Sequence, residues 1–400
     1  MVNCGVLDGV RVLDLTRVLA GPYSGMILAD MGAEVVKLEV PGRGDDSRGF
    51  TPMINGESAY FMNLNRNKKS IVINLKEEAG RSIFKELIKE FDILLENFRP
   101  GTMEKLGLGY DDLKKIHPGL IYGAVSGFGH YGPYAKRPGY DIIGQGMGGL
   151  MSTTGWPDGE PTRSGTAIAD VLAGLNMTIG ILAAYSNKLQ NGHGDKVDVA
   201  LVDSVVSGME IITQIYFATG KDPERIGNRY ESVYPYDTFK AKDKTFIIGA
   251  GNNKLFALLT DYMGRNDLLE DPRFKENADR VKNHAALKPI IEEWAKDKSA
   301  DDIINDLLKK GCPAAPVNKV SDITKDPHIA GAREMFVEVD HPKAGKTTLT
   351  GCHIKFSETE CKINTPAPEL GQHTHEFLKT YLGYDEAKLT ELKAKGIIEG

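Results

Sequence analysis

The sequence predicts an α/β protein built on a Rossmann-like open parallel sheet, and three observations carry that expectation. Short apolar, β-branched runs recur through the first half of the chain: Val10 to Leu15, Ala33 to Val40, Ser70 to Leu75, Asp92 to Glu96, Leu120 to Val125 and Lys196 to Val202. Most of them are separated by stretches of helical period, so right-handed crossovers would set the strands in parallel. Turn residues mark the joins, as at Ala20-Gly21-Pro22, where the proline suits a first helical position.

Taken in order, Val10 to Leu15 (VRVLDL) leads through that turn into a helix over Tyr23 to Met31, closed by Gly32. Ala33 to Val40 (AEVVKLEV) then completes a β-turn-α-β unit. The first turn lacks GxGxxG, so the fingerprint of a dinucleotide site is missing where this fold would carry it. Lys76 to Glu90 reads as an amphipathic helix before the DILLE strand, and Asp203 to Thr219 as one helix after Lys196 to Val202. From about 225 to 325 strands become few and the helices charged and amphipathic, as in Leu287 to Trp294 and Asp301 to Lys310. This gives a large domain over 1–210, a smaller α+β domain over 225–325, and a last segment, 330–400, of antiparallel strands (Met335 to Val339, Lys346 to Phe356) and two short helices around Phe377 and Leu389.

Bulk composition excludes several classes. With 41% hydrophobic and 26% charged residues and a formal charge of −6, the 400-residue chain reads as soluble and globular, without the basic face of nucleic-acid or membrane-surface binders. Cys4, Cys312, Cys352 and Cys361 form no CxxC pair, which points to a reducing, cytoplasmic setting rather than a disulfide framework. The start, MVNCGVLDGVRVLDL, has no basic and then apolar leader. No metal site is expected: His373-Thr374-His375 with Glu369 and Glu376 completes no familiar ligand spacing and reads as structural. GxSxG and HExxH are absent, which removes two hydrolase classes.

The most informative stretch is Pro161 to Leu189. It sets one carboxylate, Asp170, ahead of a run whose next formal charge is Lys188. Apolar side chains fall on nearly every side of the helical wheel, so the helix is expected to be buried, and Gly174, Asn176, Thr178 and Gly180 favour a protein core over a membrane. A helix starting near Asp170 would bring the carboxylate to unpaired N–H groups and the positive dipole end, favouring the ionised form. Two roles stand open, a helix cap and a catalytic anion.

Other candidates are looser. Cationic loops at Arg43 to Arg48, Asn65 to Lys69, and Asn97 to Gly101 with Lys105 lie in turn-rich sequence; a polyphosphate could draw Arg66, Lys68 and Lys69 together, whereas Arg43 and Arg48 read as solvated surface. The glycine-rich segment Gly127 to Gly149 offers backbone freedom, for a mobile lid or a close approach of main chain to ligand.

Together, RVLAGP (17–22), GAEVVKLE (32–39), NRNKKSI (65–71), ENFRPG (96–101), RPGYD (137–141), SGTAIADVLAG (164–174) and VDVALVDS with Asp198 at its second place resemble, in colinear order, the class III CoA-transferases of the CaiB/BaiF type, the family of formyl-CoA:oxalate CoA-transferase. The resemblance implies an acyl-CoA:carboxylate CoA-transferase, with an acyl-CoA donor and a carboxylate acceptor, in which Asp170 is the nucleophile and forms an acyl-aspartyl anhydride. It also implies that Val18, Leu19, Arg66, Lys69, Asn97, Phe98, Lys105, Arg137, Tyr140 and Leu201 surround the CoA ester, which is a co-substrate; no cofactor is expected. Glycines at Gly144 to Gly149 and Gly249 to Gly251 are candidate donors to the tetrahedral intermediates. Family members are interlocked homodimers whose large domain is formed by both chain ends. Related α-methylacyl-CoA racemases carry histidine where this chain has Tyr140, and two-base racemisation needs such a group, so transfer is preferred over racemisation, over non-catalytic CoA-ester binding and over dinucleotide-dependent oxidation. The oxalate enzyme carries glutamine at the Leu19 position, which turns the expected acyl group away from oxalate towards a larger or less polar one.

Overall fold

The computed structural model describes residues 5–400, and Cys4 lies outside them. They form two compact units. One comprises the described part of Met1–Leu150 with Arg163–Gly220 and Pro327–Gly400; the other comprises Met151–Thr162 and Lys221–Asp326. The short excursion over 151–162 was not separable in the sequence, because it carries no strand or helix period of its own.

The first unit is built on Arg11–Asp14 (β1), Glu34–Glu39 (β2), Lys68–Ile73 (β3), Ile93–Glu96 (β4), Ile121–Ser126 (β5) and Lys196–Ala200 (β6). All six run parallel, in the spatial order β3-β2-β1-β4-β5-β6. Ile398–Glu399 adds an antiparallel edge on β3, pairing Ile398 with Ile73. This short strand has no alternation to reveal it in the sequence. The helices are Ala20–Asp30 (α1), Ala59–Asn65 (α2), Glu78–Leu87 (α3), Thr102–Lys105 (α4), Tyr110–Ile116 (α5), Asp141–Met147 (α6), Ile168–Asn191 (α7), Leu201–Gly208 (α8) and Ile211–Thr219 (α9). The single helix expected over 203–219 is two, because Glu210 takes a φ of +50°, outside any right-handed helix.

Both faces of a parallel sheet must be covered, and here each is. Leu13, Val36, Ile71 and Leu94 pack under α3, α5 and the C-terminal helices Thr374–Leu382 and Glu386–Ala394. Val12, Val35 and Ile93, their neighbours along β1, β2 and β4, pack with Ile121 of β5 under α1, α7 and α8. Alternate residues facing opposite sides is the pleat made visible.

α7 departs from the expectation of burial all round. Ala169, Ala173, Met177, Thr178, Ile181 and Ala184 are buried, while Ile179 is 65% and Leu189 70% exposed. The other unit stands on a three-stranded antiparallel sheet, Tyr236–Lys240, Thr245–Gly249 and Ala314–Pro316, whose core (Phe239, Phe246, Ile248) continues through Phe256, Leu259, Leu287, Ile291, Ile303 and Leu307 of its helices.

Candidate active site

The strand order reverses between β1 and β4, and in open α/β sheets ligands bind beyond the carboxyl ends of the strands at that point. A cavity of about 430 Å³ lies there. The turn after β1 supplies Arg17, Val18 and Leu19; the segment after β4 supplies Asn97, Phe98, Arg99 and Thr102; Ser126, Arg137, Tyr140, Leu201 and Asp170 complete its wall.

The turn after β1 is held almost atom by atom. Thr16 donates its N–H to Asp14 at 2.9 Å, and its carbonyl accepts the Lys37 ammonium at 2.7 Å. Arg17 donates to Asn97 Oδ1 at 2.8 Å while Asn97 Nδ2 donates back to the Arg17 carbonyl at 2.7 Å, so one amide side chain ties the two switch-point segments together. Val18 donates to Asp45 at 3.2 Å. This scaffold fixes Val18 at φ +69°, a left-handed conformation that is rare and costly for a β-branched residue. Its consequence is the entry into α1, whose N-cap Leu19 has no side-chain cap and whose first turn faces the cavity through Leu19 and Ala20.

Asp170 is the third residue of α7. It does not cap that helix: the Ala169 N–H is taken by Asp141 Oδ1, at 2.9 Å, from the first residue of α6. That leaves the Asp170 carboxylate in the cavity wall with no donor or cation acting on it among the described residues. Burial, and then the charge of Asp141, push it up to about 7. The sequence led one to expect a strong anion at the helix terminus; burial and Asp141 act in the opposite direction. Tyr60 of α2 stands within electrostatic reach, pushed up to about 12 by burial and by Asp170, Asp45 and Asp141. Gly174 lets α7 approach this closely, since a Cβ there would stand 2.7 Å from the Ala20 carbonyl oxygen.

Gly127 and Gly139 cross backbone to backbone: a Cβ on Gly139 would stand 2.4 Å from Gly127 Cα. The crossing carries Arg137 and Tyr140 to the cavity, with the Arg137 guanidinium 3.6 Å over the Tyr134 ring. A second cavity of about 470 Å³ shares Arg17, Phe98 and Thr102 with the first and extends past Leu38, Val40, Pro41, Arg43, Leu75 and Lys76. Arg17 lies 5.5 Å over the Phe98 ring, between the two.

The structure thus brings together Val18, Leu19, Asn97, Phe98, Arg137, Tyr140, Leu201 and Asp170. It separates three others. Arg66 is wholly buried with its guanidinium on Asp30 at 2.7 Å and the Asn63 carbonyl at 2.8 Å, so it fastens α1 to α2 and has no face left for a ligand. Lys69 pairs with Glu34 and lines a different cavity, of about 840 Å³, beside His373 and Tyr381. Lys105 ends α4, exposed and outside the lining of these two neighbouring cavities. Four of the glycines expected as donors have their N–H engaged: Gly144 N–H goes to the Tyr140 carbonyl, Gly148 to Gly144, Gly149 to Gly146, and Gly249 to Pro313. His373 Nδ1 accepts the Ser70 N–H at 3.1 Å, pinning the C-terminal segment to β3. Among the described residues no cluster of His, Cys, Asp and Glu is set to hold a metal. Sequence reasoning missed Asp141, Tyr60 and Arg43; only Arg43 had a signal, its place just beyond the carboxyl end of β2.

Known proteins resemble this chain along nearly its whole length. The model of CoA-transferase family III matches residues 7–374. The chain is 42% identical to an acetyl-CoA:oxalate CoA-transferase of Acetobacter aceti, over 92% of this chain and 94% of that one. It is 39% identical to a mouse (Mus musculus) succinyl-CoA:glutarate CoA-transferase, over 98% and 90%. Among solved structures, a CaiB/BaiF family protein from Brucella suis superposes with a TM-score of 0.83 at 39% identity, covering 94% of this chain and all (100%) of that one.

Proposed function

The chain belongs to CoA-transferase family III and is a class III CoA-transferase, and from that premise we propose that it moves coenzyme A between two carboxylic acids through an anhydride on Asp170. The observation that carries the mechanism is the carboxylate itself, lining the switch-point cavity while Asp141 does the capping. In the first step an Asp170 oxygen attacks the thioester carbonyl, the C–S bond breaks, and CoA leaves as the thiolate. The acceptor carboxylate then attacks the aspartyl carbonyl, releasing the donor acid and leaving its own acyl group on Asp170. The thiolate attacks that acyl carbonyl, giving the new CoA ester and the free carboxylate. Electrons and protons balance without any oxidant or metal. The uncapped N–H groups opening α1 are the donors we assign to the oxyanions.

Coenzyme A is read as lying across both neighbouring cavities, the thioester towards Asp170 and the nucleotide towards Arg43 and Lys76. Phe98 and Arg17 flank the passage. Relatives named for oxalate and glutarate support small dicarboxylates as the acid class. No histidine lines the cavity, so a racemase's second base is missing there. The exposed apolar side of α7, with Ile179 and Leu189, and Phe217 of α9 support a homodimer. The free cysteines Cys312, Cys352 and Cys361 fit a reducing, cytoplasmic compartment.

Asp170→Ala should lower exchange by at least about 10³-fold and abolish the adduct that hydroxylamine traps from the native enzyme. Retained turnover would reject the mechanism. At saturating CoA ester, turnover should rise as pH increases through about 7, where Asp170 becomes the nucleophilic anion.

A further inference from the structure

Behind the Asn97–Phe98 turn sits a carboxylate that the transfer chemistry leaves unused. Glu96 ends β4 and is 2% exposed. Its Oε2 accepts the Phe98 N–H at 2.7 Å; its Oε1 accepts the Tyr122 hydroxyl at 3.3 Å and lies 3.6 Å from His130 Nε2. No lysine or arginine forms an ion pair with it among the described residues.

His130 is itself held from two sides. Its backbone N–H goes to Asp198 Oδ2 at 2.9 Å, and its Nδ1 meets the Lys196 ammonium at 3.0 Å. An ammonium only donates, so Nδ1 is the acceptor and the neutral ring carries its proton on Nε2, facing Glu96. That Nε2 has no hydrogen-bond partner among the described residues. The charged and titratable groups around Glu96 are then complete: Tyr122 of β5, His130 beyond it, Lys196 and Asp198 of β6, and Glu104 of α4. Burial pushes Glu96 up to about 7 and, with Lys196, pushes His130 down.

We propose that Glu96 is a positioning residue for coenzyme A: ionised, it fixes the Asn97–Phe98 turn through the Phe98 amide, and its protonation slackens that turn. The inference rests on the reading that Asn97, Phe98 and Arg17 hold the CoA ester. Glu96 lines neither of the two neighbouring cavities and acts through Phe98 alone. A hydrogen bond to a charged acceptor is roughly twice as strong as one to a neutral acceptor, so gaining a proton weakens the anchor. The next residue along, Asn97, carries both bonds to Arg17, and the Arg17 guanidinium lies over Phe98. A slackened Phe98 therefore disturbs both sides of the passage at once.

The test is the dissociation constant of coenzyme A itself, by titration calorimetry from pH 5.5 to 8.5, for native protein, Glu96→Gln and Tyr122→Phe, each also with Asp170→Ala to remove the other group that titrates near 7. Native affinity should weaken by about tenfold as pH falls through about 7. Compared with the native protein at the same pH, Glu96→Gln should bind about tenfold more weakly at pH 8.5 and equally at pH 5.5, keeping only the slope that the phosphate monoester of coenzyme A contributes, and in turnover the loss should appear in KM rather than kcat. Tyr122→Phe removes a donor to the anion and should move the midpoint upwards, which keeps the test decisive should Glu96→Gln fail to fold. A native profile without pH dependence, a Glu96→Gln profile like the native one, or an unmoved midpoint in Tyr122→Phe overturns the inference while leaving the transferase reading intact. Absence of any CoA binding to the native protein sinks that reading and this inference with it.

Discussion

Two groups of buried charge lie under the carboxyl ends of the central strands, and they are built in opposite ways. Beneath β1, β2 and β3 every charge has a partner. Lys68 meets Asp14 at 2.9 Å, Lys37 meets Asp45 at 2.8 Å, and Arg48 meets Glu39 at 2.7 Å, with nearly all of these groups buried. Burial alone would push the three carboxyls up, but the cations outweigh it and hold them below the usual carboxylate range. Beneath β4 and at the head of α7, Glu96 and Asp170 have no paired cation among the described residues, and burial pushes both up to about 7. The paired group shapes the turn that carries Val18, with its Lys68 pulled down to about 8 by burial; of the carboxyls in the two groups, the unpaired ones are those whose charge changes near neutrality. The difference teaches where the molecule can tolerate strain and where it can respond to a proton.

The strongest way to break the contrast is to remove the cation at the centre of the paired group. Lys37→Met leaves Asp45 buried without its cation and the Thr16 carbonyl without its donor, while Asp14 keeps Lys68; removing one partner of a buried pair costs about 3–5 kcal/mol. We expect that loss in urea unfolding at pH 8, with part of it recovered in Lys37→Met/Asp45→Asn, where the orphaned charge is also gone.

The opposite result is expected at Asp170. Its pKa is higher folded than unfolded, so folding favours the protonated form: the native state keeps its full stability below about pH 4 and loses it as pH rises towards 7. Asp170→Asn does not titrate. It should match the native protein near pH 4 and exceed it at pH 8 by on the order of 2–4 kcal/mol while being inactive. Equal stabilities at pH 8 would mean that the carboxyl finds a partner in solution.

How much of this could be read from the chain differs between the same two groups. The parallel sheet was legible because its strands are apolar runs set off by helical period; β1 through β6 lie within a few residues of where the sequence put them. Asp170 was legible because no other charge follows it until Lys188. Its state was not, since whether the dipole or desolvation prevails depends on Asp141, which reaches Ala169 from 28 residues earlier in the sequence. Arg66 misled for a related reason: a guanidinium in a turn-rich basic stretch looks the same in sequence whether it faces solvent or Asp30. Glycines misled in kind. Gly127 and Gly139 do serve a close approach, but of one backbone to another.

That crossing gives a smaller effect. Gly139→Ala places a methyl against Gly127 Cα, where backbone and no flexible side chain must give way, so we expect a loss of about 1–3 kcal/mol in unfolding experiments. Because Arg137 and Tyr140 ride on the same segment, the KM for CoA ester should rise with it. Val10→Ala, a core change away from the cavity, serves as the control for stability loss alone.

The smallest expected change tests the strain itself. A valine at φ +69° costs on the order of 1–3 kcal/mol relative to an unstrained residue, and glycine removes that cost while adding about 0.5–1 kcal/mol of unfolded-chain entropy and giving up about 1 kcal/mol of half-buried apolar packing. Val18→Gly should therefore keep stability within about 1 kcal/mol of the native value, unlike nearly every other truncation in this region. The side-chain anchors at Thr16, Arg17 and Val18 N–H remain in the variant, so the turn should survive; what is lost is the stiffness of a β-branched residue beside the cavity. If the paired charges exist to hold that conformation, Val18→Gly should also soften the penalty of Lys37→Met, giving a double-mutant coupling energy of about 1 kcal/mol. Strict additivity would show that the charges under β1 to β3 stabilise the sheet without holding the turn, and the contrast with Glu96 and Asp170 would then be one of pairing only.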